Sequence, residues 1–233
     1  MNNINLPPVV KNLLIINALF FLATWVFEQQ GLFLNEYLAV FYFNSPYFKI
    51  WQPISYMFMH ANMTHIIFNM FALFSFGPIL EAHFGSKRFL NFYLITGLGA
   101  LGLQWAVQAF EVYQITGAVM NNLNTLAVTN PLNIKTLQGI YFGPMVGASG
   151  AIFGLLVAFG LLYPNIELYI MFIPAPIKAK YIIPVYIVIE LLLGVGKIEG
   201  DSVAHFAHLG GALIGFILVK LWRNKNTYYD YYD

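Results

Sequence analysis

The sequence contains no cysteine, which excludes disulfide bonds, thiolate metal sites and a cysteine nucleophile. Charged residues are also scarce, at 9% of the 233 residues, whereas soluble domains carry roughly 25%. The net charge of +1 gives no sign of the basic face that nucleic-acid binding requires. With 59% hydrophobic residues and a mean hydropathy of +0.68, the composition is typical of a polytopic membrane protein. The length predicts one membrane domain over residues 1–233.

Six apolar segments predict an all-α bundle of six transmembrane helices, because a helix needs about 20 apolar residues to cross a bilayer. They lie near residues 10–28, 55–80, 89–109, 149–163, 179–196 and 203–222. We interpret the first as a retained span, since no small-residue cleavage site follows it. Residues 110–146 are less apolar and predict an insertion on the outer side that can include an interfacial helix.

The distribution of basic residues predicts the orientation of this bundle. Eight of the 11 basic residues fall on one side of a six-span topology: Lys11, Lys87, Arg88, Lys178, Lys180, Lys220, Arg223 and Lys225. Lys49, Lys135 and Lys197 lie opposite. Because cytoplasmic loops are enriched in lysine and arginine, both termini are predicted to be cytoplasmic. We expect a multi-pass protein of a bacterial inner membrane.

The segment 147–150, Gly-Ala-Ser-Gly, is the most informative of the chain because it puts a hydroxyl at the start of an apolar helix. Serine is a weak nucleophile unless a base removes its proton. His208 in the sixth span is the candidate base for Ser149. Both groups fall in the outer half of the predicted bundle. Two small-xxx-small pairs allow their helices to approach closely: Gly150 with Gly154, and Gly211 with Gly215.

Polar residues of the second span are candidates for an oxyanion hole. His65 and Asn69 are four residues apart and share one helix face, while His60 lies nearer the outer end. The backbone N–H of Ser149 adds a donor at a helix N-terminus, and glycines at 147 and 150 let the backbone approach a substrate. The alternative is that these side chains serve packing through hydrogen bonds between membrane helices.

The sequence favours a Ser149–His208 dyad over a triad. Asp201 lies seven residues before His208, about 10 Å along a helix, which is too far for direct contact. Glu190 is a lone carboxylate in the fifth span that is protonated, paired or water-facing, and the sequence does not choose. For His205 we expect a structural or outer-surface role. Glu81, at the end of the second span, is interpreted as a hydrogen-bond acceptor that fixes a loop.

With these residues in order, the chain resembles the rhomboid intramembrane serine proteases over about residues 51–222. Three motifs carry the resemblance: His60-x4-His65-x3-Asn69, the segment 147–150, and His208-x2-Gly211-x3-Gly215. Glu81 also matches an acid of the family. The resemblance implies that Ser149 is the nucleophile, that His208 is the general base and acid, and that His65 and Asn69 complete the oxyanion hole.

Further expectations come from the resemblance alone. Phe153 matches an aromatic ring packed against the histidine, and His60 matches a residue that organises the outer loop. The family cleaves transmembrane segments of other proteins, which enter sideways between the second and fifth helices, without metal or other cofactor. This chain differs from the family in two places: Gln52 follows Trp51 where arginine is common, and the 110–146 insertion is longer than usual.

Two other functions remain open at this stage. His60, His65, His205 and His208 form a plausible zinc or haem set in a transporter, although no carboxylate-bearing metal motif such as HExxH occurs. A rhomboid-like pseudoprotease that binds membrane clients is the second alternative. The expected partners are transmembrane protein substrates and the lipid bilayer, without nucleic acid or metal.

Overall fold

The computed structural model describes residues 6–169, 175–196 and 204–222. Over these ranges the chain is mainly helical, with one antiparallel pair of two-residue strands. The elements are α1 (Pro8–Glu28), α2 (Asn35–Leu38), α3 (Gln52–Ser55), a 3₁₀ turn (Tyr56–Phe58), α4 (Met63–Phe84), α5 (Ser86–Thr116), α6 (Pro131–Phe142), α7 (Ser149–Leu162), β1 (Glu167–Leu168), β2 (Ile177–Lys178), α8 (Ala179–Gly196) and α9 (His205–Trp222). Lys197, Asp201, Arg223 and Lys225 lie outside the described residues.

Within the described ranges, five helices are long and apolar enough to cross a membrane: α1, α4, α5, α8 and α9. The protein is therefore a multi-pass membrane protein. The remaining apolar helix, α7, has 14 residues and packs against α4, α5 and α9 in the centre of the bundle. Most of its side chains are buried, as expected for a helix that is hydrophobic on every face.

Two helix boundaries differ from the sequence-based prediction. α4 begins at Met63 instead of near residue 55, because the Asn62 side chain caps it by accepting a hydrogen bond from the backbone N–H of His65 at 2.9 Å. α5 continues to Thr116 instead of ending near residue 109. With 31 residues it is about 46 Å long at 1.5 Å per residue, so it extends beyond a hydrocarbon core of about 30 Å.

Glycines let α9 lie directly against α7. A Cβ built on Gly215 would come within 2.7 Å of Gly154 Cα, and one built on Gly211 would overlap the carbonyl of Gly150. Any larger residue would push the two backbones apart. This close packing matters for function because Ser149 and His208 lie on the first turns of these two helices.

A buried glutamine anchors the loop between α1 and α4. Gln52 donates a hydrogen bond from Nε2 to the carbonyl of Tyr47 at 3.1 Å and accepts one from the backbone N–H of Lys49 at 3.0 Å. Trp51 donates from Nε1 to the carbonyl of Tyr37 at 2.9 Å. Gln52 thus holds this loop at the position where the resemblance led us to expect arginine.

The segment 110–146 contains α6, the helix expected in the insertion. Its N-terminus is capped by Asn130, whose side chain accepts a hydrogen bond from Leu132 N at 2.9 Å. The insertion packs on the α1–α4 loop through a small apolar cluster of its own, separate from the main core: Tyr42, Val112, Leu137, Ile140 and Tyr141.

At the opposite end of the bundle from Ser149, the buried carboxylate of Glu81 joins three helices. It accepts hydrogen bonds from the backbone N–H groups of Val9 at 3.1 Å and Val10 at 2.8 Å, at the start of α1. Ser86, the first residue of α5, donates to it at 2.6 Å. A carboxylate is favourable at a helix N-terminus, where unpaired N–H groups and the helix dipole meet it. These contacts are those of a structural acceptor.

Candidate active site

Ser149 is half-buried and begins α7 two residues after a glycine with positive φ. Gly147 has φ of 134°, a conformation that other residues rarely adopt. A Cβ there would also lie 2.9 Å from Cε1 and Nε2 of His65 and 3.3 Å from Ser149 Oγ. The segment of backbone that leads into Ser149 is held by hydrogen bonds. Gly147 N donates to the Tyr56 carbonyl at 2.9 Å, and Val40 and Met145 pair through their backbone groups.

The hydroxyl of Ser149 and the imidazole of His208 are within hydrogen-bond distance. Ser149 Oγ lies 2.8 Å from His208 Nε2. The ring of Phe153, one turn into α7, stacks on the His208 ring with centroids 4.3 Å apart and an interplanar angle of 8°. Phe153 also contacts the ring of Tyr186 on α8, with centroids 5.1 Å apart. The serine, the imidazole and the aromatic ring named from the sequence are therefore brought together.

His208 also has a carboxylate partner, which the dyad interpretation did not include. Its Nδ1 lies 2.8 Å from Oε2 of Glu190 on α8, and the Nδ1 of His205 lies 2.6 Å from the same oxygen. His205 is buried, so of the structural and outer-surface roles considered for it, the burial fits the structural one. The sequence signal for Glu190 was that it is a single carboxylate in an apolar segment. A carboxylate within a membrane helix normally has a partner, so such a residue indicates an interaction with another helix. Asp201 lies outside the described residues.

His65 of α4 lies beside the same site. The backbone N–H of Ala61 donates to Nδ1 of His65 at 3.4 Å, which makes Nδ1 an acceptor and leaves the proton of a neutral ring on Nε2. That Nε2 lies 2.9 Å from the position of a Cβ on Gly147, and Ser149 Oγ lies 3.3 Å from the same position. Among the described residues, the buried Nδ2 of Asn69 has no hydrogen-bond partner. The first backbone N–H groups of α7 have no acceptor within the helix.

His60 lies before α4, buried and edge-on to His65, with ring centroids 5.1 Å apart. Burial, with a smaller contribution from the neighbouring His65, lowers the pKa of His60 to about 4. The ring is therefore neutral near pH 7 and adds no charge beside the site.

In the described part of the chain, one group has the spacing of a metal site. Glu190, His205 and His208 offer ligand atoms within 4.8 Å of one another. Oε2 is at hydrogen-bond distance from both Nδ1 atoms, so hydrogen bonds between the three side chains account for their close spacing. The four-histidine set considered from the sequence divides into two pairs, His60 with His65 and His205 with His208.

Comparison with known proteins identifies the family of this chain. Residues 47–225 match the Rhomboid domain family. The chain is 31% identical over 216 residues to RHOMBOID-like protein 12, mitochondrial, of Arabidopsis thaliana, covering 90% of this chain and 56% of that protein. It is 30% identical over 179 residues to Rhomboid protease AarA of Providencia stuartii, covering 71% of this chain and 53% of that protein. The chain thus spans about half the length of these relatives, and it belongs to the rhomboid family.

Proposed function

We propose that this protein is an intramembrane serine endopeptidase that hydrolyses peptide bonds in or near transmembrane segments of other membrane proteins. The observation that carries the proposal is the 2.8 Å distance between Ser149 Oγ and His208 Nε2 inside a bundle of membrane helices. Two supports come from the comparisons: the Rhomboid domain match and a relative named as a rhomboid protease.

The reaction follows the acyl-transfer chemistry of a serine and a histidine. Ser149 Oγ attacks the carbonyl carbon of the substrate peptide bond as His208 Nε2 takes its proton. The tetrahedral intermediate collapses when His208 returns that proton to the leaving amine nitrogen, which yields an ester on Ser149. Water then attacks the ester, again giving a proton to His208, and the carboxyl product leaves as Ser149 regains its hydrogen.

We assign the oxyanion hole to three donors, two from side chains of α4 and one from the backbone of α7. They are Nε2–H of His65, Nδ2 of Asn69 and the backbone N–H of Ser149. Pre-aimed donors stabilise the negative charge that develops on the substrate oxygen without reorganisation during the reaction. Phe153 stacks on the His208 ring and restricts its rotation. The set requires no metal and no organic cofactor.

The proposal also includes the position of the site in the membrane. We count α7 as the sixth span and orient the single domain with both termini in the cytoplasm, because most basic residues then lie on that side. Ser149 and His208 fall in the outer half of the bilayer, and substrates reach them from the lipid. The bacterial inner membrane stays a prediction, since the relatives include proteins named as mitochondrial, chloroplastic and bacterial.

Covalent labelling tests the assignment of the nucleophile. A fluorophosphonate probe is expected to label the purified wild-type protein and to fail on Ser149→Ala. Ser75→Ala is the matched control, because Ser75 is a membrane-helix serine whose hydroxyl donates only to the carbonyl of Phe71 at 2.8 Å, and it should label like wild type.

Equal labelling of wild type and Ser149→Ala would contradict the proposal. Stoichiometric zinc that is lost on His208→Ala would favour the metal site instead. Tight binding of a transmembrane client with neither labelling nor cleavage would favour a pseudoprotease.

Replacing Asn69 by alanine is expected to lower kcat by about 10²–10³, the usual effect of removing one oxyanion donor, with little change in KM. The measurement is steady-state cleavage of a model transmembrane substrate. Asn17→Ala serves as the control because Asn17 is a buried asparagine of α1, where it donates to the Leu13 carbonyl. A similar fall in kcat for both variants would assign the Asn69 effect to packing.

A further inference from the structure

One carboxylate oxygen in this protein contacts two imidazoles. Oε2 of Glu190 lies 2.6 Å from Nδ1 of His205 and 2.8 Å from Nδ1 of His208. The Glu190 side chain is 6% exposed, and those of His205 and His208 are 8% and 11% exposed. A charge-bearing group so far from solvent is costly unless its partners satisfy it. The three residues therefore act together.

The contact decides which nitrogen of His208 carries the proton. When Glu190 is ionised its carboxylate is only an acceptor, and Nδ1 of His208 is then the donor of this contact. A neutral imidazole has a single N–H, which leaves Nε2 as an acceptor for the Ser149 hydroxyl. The opposite tautomer would turn Nε2 into a donor, and His208 could then no longer remove the serine proton.

The contact also fixes the orientation of the ring. Ser149 meets one edge of the imidazole from α7, Glu190 meets the other edge from α8, and Phe153 covers one face. His205 lies three residues before His208 on α9, so the two histidines hold the carboxylate from one helix face. When His208 accepts a proton, the imidazolium forms directly beside a negative charge in an apolar segment.

We propose that Glu190 is a positioning residue for the His208 base, and that His205 holds the Glu190 carboxylate in place. This rests on the proposed function and replaces the two-residue arrangement by a chain from Ser149 through His208 to Glu190. The residue that orients the base comes from α8, a helix that contributes neither the nucleophile nor the base.

The first measurement is the tautomer of His208 in the wild-type protein, read from the ¹⁵N chemical shifts of its ring. The chain has five histidines, and the His208 signals are those that disappear in His208→Asn. We expect protonated Nδ1 and bare Nε2 at a pH where the ring is neutral. A neutral ring protonated on Nε2 would overturn the proposal, and this readout does not depend on activity.

The second measurement compares Glu190→Met with Glu190→Asp. Methionine is similar in length to glutamate and fills the site without an acceptor. We expect Glu190→Met to lower kcat by about 10³–10⁴, the effect of losing the orienting carboxylate in a serine protease triad, with KM within about twofold. The His208 ring should shift toward the Nε2–H tautomer. Glu190→Asp, which keeps a carboxylate, should recover part of kcat and the wild-type tautomer.

Glu28→Met is the control, because it removes an exposed carboxylate from the end of α1 and should leave kcat unchanged. If Glu190→Met keeps the wild-type kcat and the wild-type His208 tautomer, the positioning role of Glu190 is overturned. Cleavage that depends on Ser149 would then still support the proposed function. Absence of Ser149-dependent cleavage in wild type would instead count against the proposed function. If Glu190→Met does not fold, the His208 tautomer in the wild-type protein and the kcat of Glu190→Asp still test the positioning role of Glu190.

Discussion

Cleavage of a model transmembrane substrate is expected to fall by about 10⁴-fold or more, to background, when either Ser149 or His208 is replaced by alanine. Each variant removes one end of the 2.8 Å contact between the hydroxyl and the imidazole. Without His208 the hydroxyl keeps its proton, and without Ser149 the imidazole has nothing to activate. Because the two residues act as a unit, the double variant should be no slower than either single one.

The measurement is the initial rate of cleavage by purified protein in proteoliposomes, with thermal unfolding recorded for each variant to show that the fold is retained. His83→Ala is the matched histidine control, because His83 lies at the far end of α4 beside the Tyr163 hydroxyl. It should cleave at the wild-type rate. Unchanged cleavage by Ser149→Ala would refute the mechanism, and additive effects in the double variant would refute the coupling.

Replacing Gly211 by alanine is expected to prevent stable folding, with a loss of more than about 3 kcal/mol, above the usual cost of overpacking a core. The added Cβ would overlap the carbonyl of Gly150, which is backbone and has no rotamer through which to move away. α9 would then have to separate from α7, and His208 would leave Ser149.

The measurement for Gly211→Ala is unfolding of the purified protein by heat and by denaturing detergent, with probe labelling of Ser149 as a second readout. Gly102→Ala is the control because no heavy atom lies within 4 Å of a Cβ built on that helical glycine. It should be neutral or more stable by up to about 1 kcal/mol. Wild-type stability in Gly211→Ala would show that the helices are not in contact at this position.

Hydropathy was sufficient to locate the apolar helices, because the bilayer sets a minimum length that a sequence displays directly. The serine and its histidine could also be named, since reactive polar groups are rare in such segments. The end of α5 could not be predicted. Its final residues are less apolar, but they continue a helix that has already formed. Hydropathy reports the apolar part of a helix and does not report the turns that extend beyond the hydrocarbon core.

The partner of His208 was missed for a different reason. Contact between Glu190 and His208 depends on how α8 is rotated about its own axis relative to α9. Packing between neighbouring helices sets that rotation, which hydropathy does not report. A similar limit applied to Gln52: the sequence showed that arginine was missing from this loop, but only the folded loop shows which backbone groups the amide satisfies.

The shortness of α7 has a consequence for the supply of water to the reaction. At 14 residues the helix is about 21 Å long, about 9 Å less than the thickness of a hydrocarbon core, so α7 alone does not reach from one side of the core to the other. Its first residue, Ser149, is half-buried and is therefore not sealed inside the bundle. Under the proposed function each peptide bond cleaved consumes one water molecule, so the proposal requires water to reach Ser149 at the end of a helix that is shorter than the core.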